Sequence, residues 1–223
     1  MYRYETHLHT SPVSKCAVST VRECLEFYKK LDYDGVFITN HFLKGNINID
    51  PSLPYEEKID FYFSDYEEGL RIGKEIGIKV FCGIEISFCG TDFLVYGLDK
   101  QWYLDHPQIM DMTARETMEY LMSCGAFVVQ AHPYREASYI DHIRLFPRSV
   151  HGVEIINASR TKEENDLAKI YADFYGHFHL AGSDNHKCEE GRALAGVESE
   201  DAINCAEEFI QAVKNGKMSV FTI

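Results

Sequence analysis

Residues Tyr4–Thr10, YETHLHT in one-letter code, carry the first pattern that indicates the fold. It is a short run with strand character, and His7 and His9 stand near its end. Residues i and i+2 of a strand point to the same side, so both imidazoles can reach one metal ion. Such a pair at the end of a first strand predicts a metal site at the carboxyl edge of a sheet.

Six further strand candidates follow the first one. Several are rich in Val, Ile and Phe, as expected for strands buried on both faces. They are Val36–His41, Lys79–Ser87, Asp92–Leu98, Ala126–His132, Gly152–Asn157 and Phe178–Asp184, with Met218–Ile223 as a candidate edge strand. Helical segments separate several of them, which predicts an α/β fold with a mostly parallel sheet. Seven strands favour a small, TIM-like (β/α)7 barrel in one domain spanning residues 1–223.

Local patterns predict where the helices lie. Four Ser or Thr residues precede a Glu at capping-box spacing: Thr20 with Glu23, Ser64 with Glu67, Thr113 with Glu116 and Thr161 with Glu164. In the last of these helices the predicted core-facing stripe is Leu167, Ile170, Tyr171 and Phe174. The segment from Phe42 to Asp60 is rich in Gly, Asn and Pro, and we predict a loop that could act as a lid.

Composition excludes several classes of protein. With 45% hydrophobic and 26% charged residues, the chain has an ordinary globular composition. It has no long apolar run and no apolar signal at its start, so we expect a cytoplasmic protein with no membrane partner. The net charge of −13 disfavours long nucleic acid. The seven cysteines contain no Cys-x-x-Cys pair, which favours buried or idle thiols over a zinc ribbon or a redox dithiol.

Five more potential ligands stand at or near the ends of predicted strands. They are His41, Glu85, His132, Asp184 and His186. The carboxyl ends of parallel barrel strands converge on one face, so these side chains should meet His7 and His9. Imidazole and carboxylate ligands together suit zinc, manganese or iron. One such residue alone is more often structural, whereas seven in equivalent places indicate a shared metal site.

Five ordered motifs carry a resemblance to a known family. They are His7-Leu8-His9-Thr10, Thr39-Asn40-His41, Gly83-Ile84-Glu85, Ala131-His132-Pro133 and Gly182-Ser183-Asp184-Asn185-His186. Each motif alone is weak, but the ordered set spans nearly the whole chain and resembles the PHP (polymerase and histidinol phosphatase) family. The resemblance implies a distorted seven-stranded β/α barrel and a metal-dependent phosphoesterase with two or three divalent ions.

The resemblance also implies how the ligands divide among the ions. The first ion would take His7, His9, Glu85 and Asp184. The second would share Glu85 and add His132, and the third would use His41 and His186. Asp92, which opens the strand after the glutamate motif, is a further candidate ligand.

One departure from the family pattern bears on the third ion. The family often places a His or Asp ligand shortly after the first His pair, where this chain has Lys15 and Cys16. A protonated Lys15 cannot ligate, whereas Cys16 could do so as a thiolate. Two ions or three are therefore expected.

The chemistry implied by the resemblance is attack on phosphorus by a hydroxide that bridges two ions. The groups expected to act in catalysis are Glu85, Asp184 and His186. Basic residues after strand ends or on the proposed lid are candidate phosphate ligands, because a guanidinium group suits phosphate: Arg135, Arg160 and Lys44. The expected partner is a small phosphorylated substrate, a monoester similar to histidinol phosphate or a nucleotide, and the sequence makes no prediction of oligomeric state.

Three alternatives remain open at this stage. Related barrels use similar ligands to hydrolyse amides, which allows a C–N hydrolase of amidohydrolase type. Some relatives act on the 5′ end of short oligonucleotides, which allows a nuclease. Other members serve as inert modules in polymerases, although those usually lack ligands that this chain retains.

Overall fold

The computed structural model describes residues 1–223, in which strands and helices alternate. The strands are β1 (Tyr2–Leu8), β2 (Gly35–Ile38), β3 (Lys79–Phe88), β4 (Thr91–Tyr96), β5 (Phe127–Ala131), β6 (Gly152–Asn157), β7 (Phe178–Gly182), β8 (Ala195–Ser199) and β9 (Met218–Thr222). The helices are α1 (Val21–Lys30), α2 (Tyr55–Ile76), α3 (Lys100–Asp105), α4 (Ala114–Ser123), α5 (Lys162–Tyr175) and α6 (Ala206–Lys214), with a 3-10 helix at Pro107–Met110. Every predicted strand is present, with small shifts in its bounds.

A single sheet contains all nine strands, in the order β7-β6-β5-β4-β3-β2-β1-β8-β9. β1, β2 and β3 are parallel to one another, and so are β5, β6 and β7. The residues after β7 return to β1 through a parallel bridge between Leu8 and Asn185. There the His9 N–H donates to the Asn185 carbonyl at 3.0 Å. The sheet is therefore nearly closed and barrel-like.

The sheet differs from the predicted seven-stranded (β/α)7 barrel in two ways. First, the antiparallel strands β8 and β9 extend it beyond β1. The sequence of β8, AGVES, is too short and too poor in β-branched residues to signal a strand. Second, β4 follows β3 through a two-residue turn, Cys89–Gly90, in which both residues have positive φ. Because β4 is antiparallel, it begins at the rim where the parallel strands end, and Asp92 lies opposite Ser87.

Three of the four predicted helix starts are confirmed. The Thr20, Thr113 and Thr161 side chains each accept from the backbone N–H of the Glu three residues later. The prediction at Ser64 was wrong, because α2 starts nine residues earlier, after Pro54. Ser64 lies inside that helix and its hydroxyl donates to the Phe61 carbonyl at 2.7 Å. The predicted loop accordingly ends at Pro54 rather than at Asp60.

The predicted core face of α5 was largely wrong. Only Tyr171 of that stripe is buried, together with Ala168 and Ala172. Phe174 is 80% exposed, and Leu167 and Ile170 are exposed as well. The small alanines allow α5 to pack closely on β6, which turns the longer side chains outward. None of the helices combines the length and the apolar character needed to cross a bilayer.

Candidate metal centre

Strand geometry brings all eight predicted ligands to one rim of the sheet. Two groups form there. The inner group is His7, Glu85 and His132, with Asp184 beside it; the outer group is His9, His41 and His186. The ligand atoms of each triad lie within 4.8 Å of one another, and so do those of His7, His9 and Asp184. Such clusters are able to hold metal ions.

Glu85 is the centre of the inner group. Its Oε1 lies 3.2 Å from His7 Nε2 and 3.3 Å from His132 Nε2. Asp184 Oδ1 lies 3.6 Å from His7 Nε2 and 3.4 Å from His9 Nε2. The carboxylates and imidazoles thus face a common point, as ligands of a shared cation would.

The second oxygen of Glu85 reaches the outer group. Glu85 Oε2 lies 2.5 Å from His41 Nδ1 and 3.5 Å from His9 Nε2. The His9 ring is stacked on the His186 ring at 4.1 Å between centroids. Apart from their close contact with each other, Glu85 Oε2 and His41 Nδ1 are buried and neither makes a hydrogen bond of normal geometry. Unpartnered buried polar atoms are costly unless a cation or water satisfies them, so this pair of atoms fits a metal ion.

The tautomer of His9 follows from the hydrogen bonds of Ser14. Ser14 Oγ donates its only proton to Asn40 Oδ1 at 2.8 Å. It must therefore accept from His9 Nδ1, which lies 3.1 Å away. His9 consequently carries its proton on Nδ1 and presents the Nε2 lone pair to the centre. Ser14 is a functional neighbour that the sequence pattern did not reveal.

Glu154 fixes His7 in the same way. This fully buried carboxylate accepts from His7 Nδ1 at 2.9 Å, from the His132 N–H at 3.0 Å and from Asn157 Nδ2 at 2.9 Å. His7 Nε2 is then left free, 3.1 Å from His9 Nε2. When both rings are neutral, the two Nε2 lone pairs repel at this distance, and either a proton or a metal cation between them removes the repulsion.

Gly182 leaves room for the contact between His7 and Glu154. A Cβ at this position would lie 2.5 Å from the Cβ of His7 and 2.9 Å from Glu154 Oε1. Any larger residue would displace His7 or Glu154. The glycine of the fifth motif therefore has a packing role at the metal centre.

The electrostatics of the inner group favour positive charge. Burial lowers the pKa of His7, but Glu154 and Asp184 outweigh it and hold that pKa well above its ordinary value. Burial raises the pKa of Glu85, but His41 and His132 more than reverse this and hold it well below its usual range. A pocket that keeps a carboxylate ionised and a proton on imidazole also suits a divalent cation in place of the proton.

Two other buried carboxylates hold the loops that carry the ligands. Glu5 accepts from the His7 N–H at 2.8 Å and from the Ser183 N–H at 2.9 Å. Burial raises the pKa of this carboxyl to about 7. Asp65, on α2, accepts from Thr10 Oγ1 at 2.7 Å and from Asn40 Nδ2 at 3.0 Å.

Backbone strain occurs at two of the predicted ligand residues. His132 has φ of 26° and Asp184 has φ of 51°, in the left-handed region that L-residues rarely adopt. His132 directly follows β5, and Asp184 comes two residues after the end of β7. Strain of this kind persists where the surrounding structure enforces it, and it concentrates at functional sites.

Asp92 lies at the edge of the inner group. Its Oδ2 is 3.9 Å from His132 Nε2 and accepts from Arg135 Nη1 at 3.2 Å. Burial and the nearby Glu85 charge raise the pKa of this carboxyl. Arg135 also contacts the Tyr139 hydroxyl and lies over its ring at 5.5 Å from the centroid. The structure thus places Asp92 between a ligand cluster and a guanidinium.

An open cavity of about 860 Å³ lies in front of both groups. The three predicted substrate ligands all line it: Arg135, Arg160 and Lys44. Arg160 Nε is buried and has no partner. Lys44 Nζ donates to the Met112 carbonyl at 3.2 Å, and burial lowers its pKa. Positive side chains therefore surround the mouth of a centre rich in carboxylates.

Lys15 and Cys16 take different positions. Cys16 lines the cavity, whereas Lys15 is exposed and does not line it. Burial would raise the pKa of the Cys16 thiol, but hydrogen bonds to His186 and His41 lower it to about 6. The thiol rather than the lysine is therefore next to the outer group.

Comparison with known proteins supports the fold. Residues 162–218 match the family model described as PHP-associated. A two-domain Bacteroides vulgatus protein, named for a predicted PHP-like metal-dependent phosphoesterase, superposes with a TM-score of 0.72 at 14% identity over 99% of this chain. This chain spans 64% of that protein. No curated protein matches the sequence.

Two further solved structures are similar. A Bifidobacterium adolescentis protein named as a metal-dependent phosphoesterase has a TM-score of 0.60 at 13% identity, covering 93% of this chain and 94% of its own. A Chromobacterium violaceum amidohydrolase with bound sulfate has a TM-score of 0.57 at 14% identity, covering 97% of each chain.

The protein thus has a barrel-like α/β fold with His, Glu and Asp clusters able to bind metal at the carboxyl rim. The match of residues 162–218 to the PHP-associated model supports the resemblance to the PHP family, and the solved structures show that the fold is shared.

Proposed function

We propose that this protein is a metal-dependent phosphoesterase that hydrolyses a small phosphate monoester resembling histidinol phosphate or a nucleotide. The observation that carries the proposal is the position of Glu85, whose two oxygens contact the inner group and the outer group respectively. This position would allow Glu85 to serve as a ligand in both groups. Two or three zinc, manganese or iron ions would suit these nitrogen and oxygen ligands.

When bound, these ions would lower the pKa of a coordinated water towards about 7 and polarise phosphoryl oxygens. Glu85, Asp184 and His186 would take part in catalysis by fixing where the ions lie. Glu154 and Ser14 would keep the imidazoles of His7 and His9 in the required tautomers.

The cationic side chains of the cavity would bind and orient the phosphate. Arg135 is already held in place by Asp92 at 3.2 Å. Arg160 has a buried Nε without an acceptor, which a phosphate oxygen could supply. Lys44 would contribute a point charge at the same cavity wall.

The test is hydrolysis of p-nitrophenyl phosphate by protein stripped with a chelator and reloaded with manganese, zinc or iron. Activity should appear only after reloading. A Glu56→Gln variant, which changes an exposed glutamate on α2, should show the same metal dependence as the wild type. It is the control for the Glu85→Gln variant of the proposed site. Absence of hydrolysis with every metal, in protein shown to bind ions, would contradict the proposal.

A second candidate is an amide-directed C–N hydrolase, because an amidohydrolase shares this fold. The same metal-loaded protein should be offered an N-acyl amino acid and a short 5′-phosphorylated oligonucleotide. Release of amine favours the amidohydrolase, and shortening of the oligonucleotide favours a 5′-end nuclease. Protein that binds no ion and hydrolyses none of these substrates would be an inert module.

A further inference from the structure

Two cysteine thiols lie behind the loop that carries Asp184 and His186. Cys24, on α1, and Cys188, two residues after His186, are separated by 164 residues in the sequence. Their Sγ atoms are 3.2 Å apart. No other pair of thiols in the structure is within hydrogen-bonding distance. The spacing of cysteines in the sequence gave no sign of this contact.

The two thiols differ in accessibility. Cys24 is fully buried in the core formed by α1, α2 and the first strands. Cys188 is half-buried and belongs to a surface loop. A small oxidant can therefore reach Cys188 first, and the buried Cys24 can then react with the oxidised Cys188 as the resolving thiol.

Hydrogen bonds connect Cys188 to the metal-binding loop. Its backbone N–H donates to Ser19 Oγ at 3.0 Å, next to Val18, whose N–H donates to the His186 carbonyl at 2.8 Å. Asn185 Nδ2 contacts both Cys188 Sγ at 3.5 Å and the Tyr28 hydroxyl at 3.1 Å. A displacement of Cys188 relative to α1 is therefore transmitted to His186.

We propose that Cys24 and Cys188 form a reversible disulfide under peroxide, and that this modification weakens ion binding by the outer group. The second half rests on the proposed function. A disulfide bond is about 2.05 Å long, so the sulfurs must approach by about 1 Å. Because Cys24 is fixed in the core, Cys188 and its loop make most of this movement. A shift of about this size is enough to spoil the geometry of a metal ligand.

The chemistry balances with hydrogen peroxide as the oxidant. The Cys188 thiolate attacks one peroxide oxygen, the O–O bond breaks, and hydroxide leaves as Cys188 becomes a sulfenic acid. The Cys24 sulfur then attacks that sulfur, and the sulfenic hydroxyl leaves as water with the Cys24 proton. Overall, two thiols lose two electrons and two protons, and peroxide is reduced to two waters.

The full chain loaded with metal is treated with hydrogen peroxide and divided: one portion is unfolded in N-ethylmaleimide, so that buried thiols such as Cys24 also react, and the other is kept folded for metal analysis. The expected product has two fewer alkylated cysteines than the reduced protein, and its digest contains one peptide that links Cys24 to Cys188. Its ion content after dialysis should fall by the ion of the outer group. Dithiothreitol followed by metal should restore both.

Three variants make the test specific. Cys188→Ser should abolish the linked peptide and the peroxide-dependent loss of ion. Cys24→Ala should do the same, and it covers the case in which one of the two variants folds poorly. Cys124→Ser, which changes a cysteine with no thiol neighbour, should keep the full response.

Two results would overturn the proposal. One is that both thiols remain alkylated to the same extent as Cys124 after peroxide treatment. The other is that the disulfide forms while the ion content stays the same. The mass readout needs neither ions nor turnover, so a disulfide in protein that binds no ion would support the modification and contradict the proposed function.

Discussion

The inner group combines imidazoles with carboxylates and the outer group consists of three imidazoles, and the two groups differ in how firmly the protein holds them. The inner side chains are almost fully buried, with His7 at 0%, Glu85 at 1% and His132 at 3% exposure. In the outer group His9 is as buried as the inner side chains, at 0%, but His41 is 14% and His186 is 27% exposed. Glu154 fixes both His7 and the backbone of His132, whereas His186 Nδ1 contacts only the carbonyl and carboxylate of Asp184, two residues before it.

Burial and hydrogen bonding therefore prepare the two groups for different tasks. The inner group has its tautomers and orientations set before an ion arrives, so it should bind tightly. The outer group opens on the cavity and lies beside Cys16 and the loop of Cys188. Its ion should exchange more readily and respond to changes in that loop.

Glu85→Gln should disrupt ion binding by the inner and the outer group together, because one carboxylate serves both groups. We expect loss of ions from both and a fall in kcat of about 10³-fold or more. Metal analysis and steady-state kinetics measure the two effects. Retention of every ion by a folded Glu85→Gln variant would show that the groups do not share this ligand.

His186→Asn should separate the two groups. We expect loss of the outer ion alone and a fall in kcat of about 10²-fold, because the inner ligands are untouched. Ion content per chain is the decisive measurement, and His142→Asn, at an exposed loop histidine, is the matched control. Equal loss of ions from both groups would remove the distinction between them.

Glu154→Gln should weaken the inner group without removing a ligand. The amide can donate a proton where His7 Nδ1 also needs to donate, so the ring is pushed towards the wrong tautomer. We expect metal affinity to fall by about 10- to 100-fold. Titration with zinc measures this, and Glu163→Gln, on the exposed face of α5, should leave the affinity unchanged. Wild-type affinity in Glu154→Gln would mean that the hydrogen bond to His7 is only structural.

Arg135→Ala should leave both groups intact and act on the substrate. Loss of a charge-assisted contact of about 1.5–3 kcal/mol should raise KM by roughly tenfold or more. Ion content should not change, and Arg148→Ala, at an exposed arginine, is the control. An unchanged KM would remove Arg135 from the proposed phosphate contacts.

Thr161→Ala should have the smallest effect, confined to stability. The Thr161 hydroxyl accepts from the Glu164 N–H at 3.2 Å at the start of α5. Loss of this cap should cost about 1 kcal/mol of unfolding free energy. Thermal unfolding measures it, with ion content as the readout that should stay constant. A change in ion content would show that α5 supports the metal centre more directly than the geometry indicates.

The sequence predicted the strands and the ligands for a common physical reason. Buried strands have distinctive apolar runs, and polar residues at their ends stand out against them. The strand β4 was predicted but its antiparallel direction was not, and β8 was not predicted at all, because strand direction and pairing depend on distant residues. The outward stripe of α5 shows that amphipathic spacing alone does not choose the buried face when alanines such as Ala168 and Ala172 allow closer packing.

The supporting residues of the metal centre were less predictable. Glu5 and Glu154 are buried acids inside strands, and nothing in their local sequence distinguishes them from solvent-facing residues of an alternating strand. Their role depends on partners such as Ser183 and His7, which lie 178 and 147 residues away from them in the sequence. The contact between Cys24 and Cys188 escaped prediction for the same reason.

The most direct test of the account is anomalous scattering at the zinc, manganese and iron absorption edges from a crystal of the metal-loaded protein. One peak should lie among His7, His132 and Glu85 and another on the outer histidines, with Glu85 contacting both. Peaks elsewhere, or none at this rim in protein that carries metal, would contradict it.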